Sequence, residues 1–536
     1  MEVGRVYKVL IEDYDMNGYG VCHIESKVVF VIGALKGETV TAKIENIHKK
    51  YAFASIQDIL IPSSDRQTPE CPYYEMCGGC DMMHIKYEVE CMIKEGKLKQ
   101  TFRKFKDVEF HPIISARKTL GYRNKVMMPF AVDADLDTIY GFFEKKSHRI
   151  VPIDQCIISD DITNDIIYYI NRFLNIFHVK IYDEDTHKGL FREVMIRHTA
   201  TNEYMVVIVA THDYDFSVLV KYLVEEFKCI KSIYLNINPE KTNVVLGNKY
   251  KLLYGNPVII EDILTHKFQV SPQSFMQVNH DQCERLYAEA LRLADLRNDM
   301  TVIDAYCGMG SITLNIARRV KKVYGIEIVP SAIENAKENM KLNNISNAEF
   351  ICGPCEDEII KLVNKEKIDA IFFDPPRKGC DQKFLDTVIQ MKIPQIIYIS
   401  CNVATCARDC TYLEENGYKV MEATPVDLFS RTLHVETITL LQRKDIDDRL
   451  KVRFDLDNVP LVKEETKATY QEIKDYIFNK YNVKVSTLNI AQTKTKYGII
   501  ERECYNKPKD DDSRQPKCTR EKEEMIVDAL KHFKML

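Results

Sequence analysis

Cys71, Cys77 and Cys80 put three thiols within ten residues, with Gly78 and Gly79 between the last two, and Cys156 is a candidate fourth. Thiolates this close can wrap one metal site, and the glycines give the loop room to turn. Four of them suit either tetrahedral zinc or an iron–sulfur cluster. The x5-x2 spacing lacks the paired C-x2-C arms of zinc ribbons and differs from the C-x3-C-x2-C of radical enzymes, so it leaves the metal open. A fifth thiol, Cys401, stands where the apolar run 396–400 ends, between Ser400 and Asn402. It reads either as a small buried apolar group or as a nucleophile on a polar rim. Glu436, in Thr432-Leu-His-Val-Glu436, is a carboxylate in an otherwise apolar strand. It is either a solvent-facing residue or a partly buried base with a tuned pKa.

Two further constellations belong to ligand binding. In Asp304-Ala-Tyr-Cys-Gly308-Met-Gly310-Ser311, glycines follow a short apolar strand that carries an acid. Glu327 ends the next strand about twenty residues on, where an acid can accept from both ribose hydroxyls of a nucleoside. The G-x-G-x-x-G fingerprint and a phosphate-binding loop are both missing, which disfavours NAD and ATP. S-adenosylmethionine fits better, because it offers a ribose without a phosphate. In Ile371-Phe-Phe-Asp374-Pro-Pro-Arg-Lys-Gly379, two prolines fix the chain's exit and leave Asp374 at the sheet's edge. That is a polar shelf suited to a planar base, or else a strand-terminating turn.

These residues need a parallel sheet to bring them together. From about residue 266, strands expected at 300–304, 322–328, 369–373 and 395–400 alternate with helices at 283–294, 311–319 and 331–343, the pattern of a doubly covered parallel sheet. Residues 1–60 carry short strands (28–32, 39–44, 52–56) punctuated by Asn17-Gly18, Gly20, Gly33 and Gly37, which favours a small β-barrel. Its lysines (Lys27, Lys36, Lys43, Lys49, Lys50), with Tyr19, Phe30 and Tyr51, form either a face for unpaired bases or a merely solubilising surface. A helical stretch near 84–105 leads into a basic region with Lys94, Lys97, Lys99, Arg103, Lys104, Lys106, Arg117, Lys118, Arg123 and Lys125. Mixed α+β pattern runs from 120 to 265, with a strand at 204–210 and a helix at 216–227. The tail is expected to be small α+β, with a helix at 468–481, a strand at 483–490, and Lys494 and Lys496 following.

Composition bounds the rest. The chain has 536 residues, 45% hydrophobic and 29% charged, which excludes a wholly disordered protein and provides for several cores. No run approaches eighteen apolar residues, and the acidic N-terminus does not resemble a signal peptide, so a cytoplasmic protein without membrane partners is expected. The net charge of −5 argues against a whole-surface nucleic-acid binder but leaves room for one basic face. Seventeen cysteines, an odd number, speak against a disulfide framework in a reducing compartment. Cys504 and Cys518 lack metal-ligand spacing.

Together these motifs resemble the RNA 5-methyluridine methyltransferase family, and specifically its iron–sulfur branch acting on 23S ribosomal RNA; the likeness spans nearly all of residues 1–441. It implies an α/β chain with a Rossmann-like class I methyltransferase domain (266–445), an N-terminal OB-like TRAM β-barrel (1–60), a central α+β cluster-bearing domain (61–265) and a C-terminal extension (446–536). By resemblance Cys71, Cys77, Cys80 and Cys156 hold a 4Fe–4S cluster. Ser274-Phe-Met-Gln277-Val-Asn279 matches the motif that opens the methyltransferase domain. Gln277, Tyr306, Ser311, Glu327 and Asp374 then contact S-adenosylmethionine, with Asp374 also facing the base, while Cys401 is the nucleophile and Glu436 the general base. The family often has Phe-Pro before Thr-x-His-x-Glu; here it is Phe429-Ser430, with Thr432, His434 and Glu436 in register. The implied partner is 23S rRNA, with tRNA as the alternative and no DNA. Phe275 or a nearby aromatic could stack on the unstacked uridine or fill its place.

Overall fold

Continuous apolar runs such as Thr301–Ala305 and Gln395–Ser400, buried at every position, can only be covered on both faces, and they form the centre of the main sheet. The structure is a computed structural model describing residues 1–145, 147–242, 244–444, 469–497, 518–533 and 535–536. The chain divides into two units, Met1–Asp447 and Asp448–Leu536.

In the first unit, β1 (Val6–Leu10), β2 (Asp13–Tyr14), β3 (Gly20–Ile24), β4 (Lys27–Ile32), β5 (Thr39–Ile47) and β6 (Tyr51–Ile61) form one sheet in the order β1-β5-β6-β4-β3-β2. Alternating residues (Val29, Val31, Val40, Ala42, Ile44, Ala52, Ala54) make its core. Helix α1 (Tyr87–Thr101) and the two-residue strand β7 (Glu109–Phe110) follow. The central sheet holds β8 (Lys125–Val132), β9 (Thr138–Phe143), β10 (Ile150–Pro152), β11 (Phe191–His198), β12 (Tyr204–Ala210), β13 (Ile230–Ile237) and β14 (Lys249–Gly255), in the order β10-β9-β8-β11-β12-β13-β14. Helices α2 (Asp161–Ile176) and α3 (Ser217–Glu226) pack on it through one apolar cluster. A hairpin, β15 (Ile259–Ile263) and β16 (His266–Val270), leads to α4 (His280–Leu293).

The site-bearing sheet then builds as β17 (Thr301–Ala305), α5 (Ser311–Ala317), β18 (Lys322–Glu327), α6 (Pro330–Leu342), β19 (Ala348–Cys352), α7 (Cys355–Val363), β20 (Ala370–Phe373), α8 (Gln382–Gln390), β21 (Gln395–Ser400), α9 (Val403–Glu415), β22 (Tyr418–Val426) and β23 (Glu436–Arg443). Its order is β19-β18-β17-β20-β21-β23-β22-β7. The first five strands are parallel, and β23 runs antiparallel to β21. The strand order reverses at β17, between β18 and β20, which opens the crevice where such sheets bind ligands. Apolar clusters cover both faces. The doubly covered parallel sheet is therefore present, extended by an antiparallel hairpin that the alternation of elements did not foretell.

In the second unit the described residues form three helices, α10 (Tyr470–Tyr481), α11 (Thr487–Lys496) and α12 (Arg520–His532), around Ile473, Ile477, Val485, Ile490, Ile526, Ala529 and Leu530. The strand expected at 483–490 is absent. Ser486 caps α11, its hydroxyl accepting from the Asn489 N–H at 3.2 Å while the Asn489 side chain accepts from the Ser486 N–H. That reciprocal cap starts a helix where two valines read as strand. Ala468 and Cys504 lie outside the described residues. No helix among the described residues is long and apolar enough to cross a membrane.

Candidate active site

Strand registers place the sequence-derived residues side by side. Ala305 pairs with Ile326 and with Phe373, so the next residues along, Tyr306, Glu327 and Asp374, share the carboxyl rim of the sheet. Ser400 pairs with Thr437 at the end of the antiparallel ladder of β21 and β23, so the next residues along the two chains are Cys401 and Glu436. One rim thus carries Glu327, Tyr306, Asp374, Cys401 and Glu436 across five adjacent strands.

Local chemistry fixes each of them. Gly310 has φ of +85°, and a Cβ there would stand 2.8 Å from the Phe350 ring, so only glycine lets α5 begin this close to the sheet. Glu327 accepts from the Gly308 N–H at 3.3 Å and the Val329 N–H at 3.0 Å. Ser311 opens α5, with its hydroxyl 3.1 Å from that of Tyr287. Tyr306 is held in the left-handed region (φ +63°) with its ring against Phe384. Gln277 is buried, and its carbonyl accepts from the Asn124 side chain at 3.1 Å. Phe275, two residues earlier, is 71% exposed.

The rim is electrostatically loaded. Asp304, buried beneath it, is pushed up to about 7 by burial, against the opposing hydrogen bond from Thr313 at 2.5 Å. Burial also raises Asp374 to about 7. Glu436 is buried and held well above the carboxylate range by that burial and by Asp374, with Arg377 opposing. The half-buried Cys401 thiol rises to about 11 through burial, then Glu436 and Asp374, while Arg377 pulls it down. Asn402 caps α9 directly after Cys401, so the thiol sits at the positive end of a 13-residue helix. Arg377 is the cation that opposes the upward shift of both groups. The sequence reading passed over it, although it follows Asp374-Pro-Pro immediately. Its carbonyl accepts from Asn402 and Thr405, each at 3.4 Å.

The loop between Val426 and Glu436 is over-determined, and Ser430 is part of the reason. Ser430 Oγ donates to Asp427 at 2.7 Å, and the Ser430 carbonyl accepts from Tyr122 Oη at 3.0 Å. Lys94 Nζ reaches Asp427 at 2.6 Å and Glu90 at 2.7 Å. Burial opposes the Lys94 charge, but Asp427 and Glu90 outweigh it and hold the amine above its usual range. Lys94 is therefore a fully buried strut, not part of the basic surface its sequence context implied. Arg431, at φ +67°, donates its N–H to Glu90 at 2.7 Å.

Cys71, Cys77, Cys80 and Cys156 converge on one cavity of about 240 Å3, otherwise lined mostly by apolar and aromatic side chains such as Tyr73, Met83 and Phe142, with Arg123 and Gln155. Burial first, then the neighbouring thiols, raises Cys80 and Cys77 above the usual thiol range. Gly78 is required because a Cβ would lie 2.8 Å from the Phe143 carbonyl, and the Gly79 N–H donates to Cys77 Sγ at 3.4 Å. The N-terminal sheet gathers Tyr19, Phe30 and Tyr51 with Phe53 and His48, which the sequence reading omitted, into one partly exposed aromatic cluster.

Comparison with known proteins agrees with this arrangement. Residues 86–444 match the tRNA (uracil-5-)-methyltransferase family, and residues 1–56 match the TRAM domain. An uncharacterized RNA methyltransferase of Clostridium acetobutylicum is 40% identical over 449 residues, covering 82% of this chain and 97% of that protein. One of Bacillus cereus is 38% identical over 451 residues, covering 83% and 98%. The crystal structure of Pyrococcus abyssi tRNA (uracil-54, C5)-methyltransferase with S-adenosyl-L-homocysteine superposes with a TM-score of 0.65 at 24% identity, over 81% of this chain and 99% of that one. The fold is thus that of a class I S-adenosylmethionine-dependent methyltransferase, and the chain belongs to the RNA uracil-5-methyltransferase family, with a TRAM domain at its N-terminus.

Proposed function

We propose that the protein methylates C5 of a uridine in 23S rRNA, with Cys401 as nucleophile and Glu436 as base. The observation that supports this reading is the register that brings Cys401 and Glu436, each one residue beyond the pair Ser400–Thr437, to the rim shared by Glu327, Tyr306 and Asp374. Uracil C5 is too weak a nucleophile to take a methyl group unaided. Addition of the Cys401 thiolate at C6 moves electrons onto the C4 carbonyl and makes C5 enolate-like. S-adenosylmethionine supplies an electrophilic methyl group on a sulfonium. After transfer, Glu436 removes the C5 proton, C5=C6 re-forms, and the thiolate leaves C6. A buried carboxyl whose proton affinity is raised suits that role, because it is basic enough to take a carbon-bound proton. Gln277, Tyr306, Ser311, Glu327 and Asp374 hold the cofactor in this reading, and Asp374 also faces the base. Phe275, exposed beside Gln277, stacks on the extruded uridine.

The four cysteines hold a 4Fe–4S cluster in this reading. The four thiols lining one largely apolar cavity support this reading, in which the cluster's place is structural. We further read the N-terminal sheet as OB-like, with its aromatic cluster offered to unpaired bases, and the protein as cytoplasmic.

A tRNA target is the second reading, favoured by the description of the matched family. Mass analysis of digested rRNA and tRNA from a deletion strain tests both. Loss of 5-methyluridine from 23S rRNA alone is the expected result; loss confined to tRNA selects the alternative, and loss from neither pool rejects the function.

A further inference from the structure

We propose that the four-cysteine unit sets the position of the catalytic base through two carbonyls, those of Ser430 and Arg431, with Tyr122 and Arg431 as the positioning residues. The inference rests on the reading of Glu436 as base.

The connection is made of short, buried contacts. Asp81 and Met82 directly follow Cys80, and both donate their backbone N–H to the Arg431 carbonyl, at 2.8 and 3.0 Å. Tyr122 packs in one apolar cluster with Cys71, Cys80 and Cys156, and its hydroxyl donates to the Ser430 carbonyl. Two successive peptide units of the 427–435 loop therefore hang from the cysteine site. Arg431 keeps a left-handed backbone that a side chain rarely adopts, held from both sides: its N–H goes to Glu90, and its guanidinium reaches Ile85 O at 3.3 Å and Thr119 Oγ1 at 3.4 Å. From there the loop runs five residues to Glu436, with Leu433 O taken by Lys97 at 3.2 Å. The far end is pinned by the pairing of Glu436 with Val426. In the proposal, a shift of Cys80 or Tyr122 passes through these contacts along the loop toward the carboxyl group.

Cys401 lies between β21 and α9 and makes none of the contacts that hold the 427–435 loop. Loosening the loop should therefore spare addition of Cys401 and methyl transfer, and slow the step in which the C5 proton passes to Glu436 and the Sγ–C6 bond breaks. A general loss of folding would slow both halves alike.

The test uses the full chain with RNA, isotope-labelled cofactor and rapid quenching. Tyr122→Phe removes one hydrogen bond and keeps the ring, and its covalent protein–RNA adduct should decay on the order of tenfold more slowly, the weight of one buried hydrogen bond, at an unchanged rate of methyl transfer. Amide exchange over residues 430–436 should quicken in Tyr122→Phe and in Cys156→Ser. Arg431→Lys should retain more of the decay rate than Arg431→Ala. Equal slowing of both steps, or unchanged exchange in Tyr122→Phe, overturns the inference. Glu436→Gln serves as the control: if it accumulates no adduct, the base assignment itself falls, while the exchange measurement still decides whether the cysteine unit positions the loop.

Discussion

At the scale of the residue, the reaction as proposed asks Cys401 and Glu436 for opposite things within one small space. The thiol must lose a proton, although burial and two carboxyls raise it to about 11. The carboxyl must gain one, and the same burial prepares it to do so. Arg377 is the group that opposes both shifts, and its contribution has a definite sign. Below about pH 11 the thiolate fraction, and with it alkylation of Cys401 by iodoacetamide, should rise about tenfold per pH unit. Arg377→Ala should shift that rise to higher pH and slow alkylation at pH 8 severalfold, as read by mass spectrometry of the Cys401 peptide. An unchanged profile would remove Arg377 from the account. Cys401 and Glu436 stood out in the sequence as a thiol and a carboxyl at the ends of apolar strands, each with a structural reading beside the chemical one, and the roles of nucleophile and base came from the family resemblance. Arg377 did not, since one more cation beside a proline pair looks like solvated surface.

At the scale of the element, the hairpin of β22 and β23 turns through a nine-residue loop whose conformation depends on partners more than 300 residues away in sequence. Lys94 and Asp427 are 333 residues apart and form a 2.6 Å ion pair with no exposed atoms to speak of. Glu90, Lys94, Asp427 and Arg431 together are neutral, which is how such a group survives burial. Removing one member leaves the others unpaired in the core. Lys94→Met should cost about 3–5 kcal/mol of unfolding free energy, measured by urea denaturation, and double substitution with Asp427→Leu should cost less than the sum of the two singles. Additive losses would show that the network is weakly coupled. None of this was visible in the sequence. Periodicity reveals which face of α1 is apolar, but a lysine on a helix reads as surface until its distant acid is known. The parallel strands and their order of chemistry were legible, because each apolar run ends in an acid, a glycine turn or a thiol. The antiparallel pairing that brings Glu436 to the rim was not, since register between distant strands leaves no local mark.

At the scale of the whole molecule, the first unit combines three parts. The TRAM sheet displays the Phe30–Tyr51–Phe53 cluster, the central region supplies the thiol-lined cavity and α1, and the main sheet carries the rim with Cys401 and Glu436. The TRAM sheet is also tied to the 427–435 loop: Leu35 and Tyr14 share an apolar cluster with Met82, Ile85, Ile93 and Leu433. The second unit has a helical core of its own, and a strand is expected there because the four β-branched residues of 483–490 outweigh a cap that only the fold reveals. The proposed reaction comes down to one bond between Cys401 Sγ and C6 of a uridine. The direct measurement is a denaturing gel of Glu436→Gln incubated with substrate RNA and S-adenosylmethionine. The account predicts a covalent protein–RNA species whose released nucleoside carries the new methyl group, and none when Cys401 is also replaced by Ala. Methylation at an undiminished rate by the Cys401→Ala protein would contradict it.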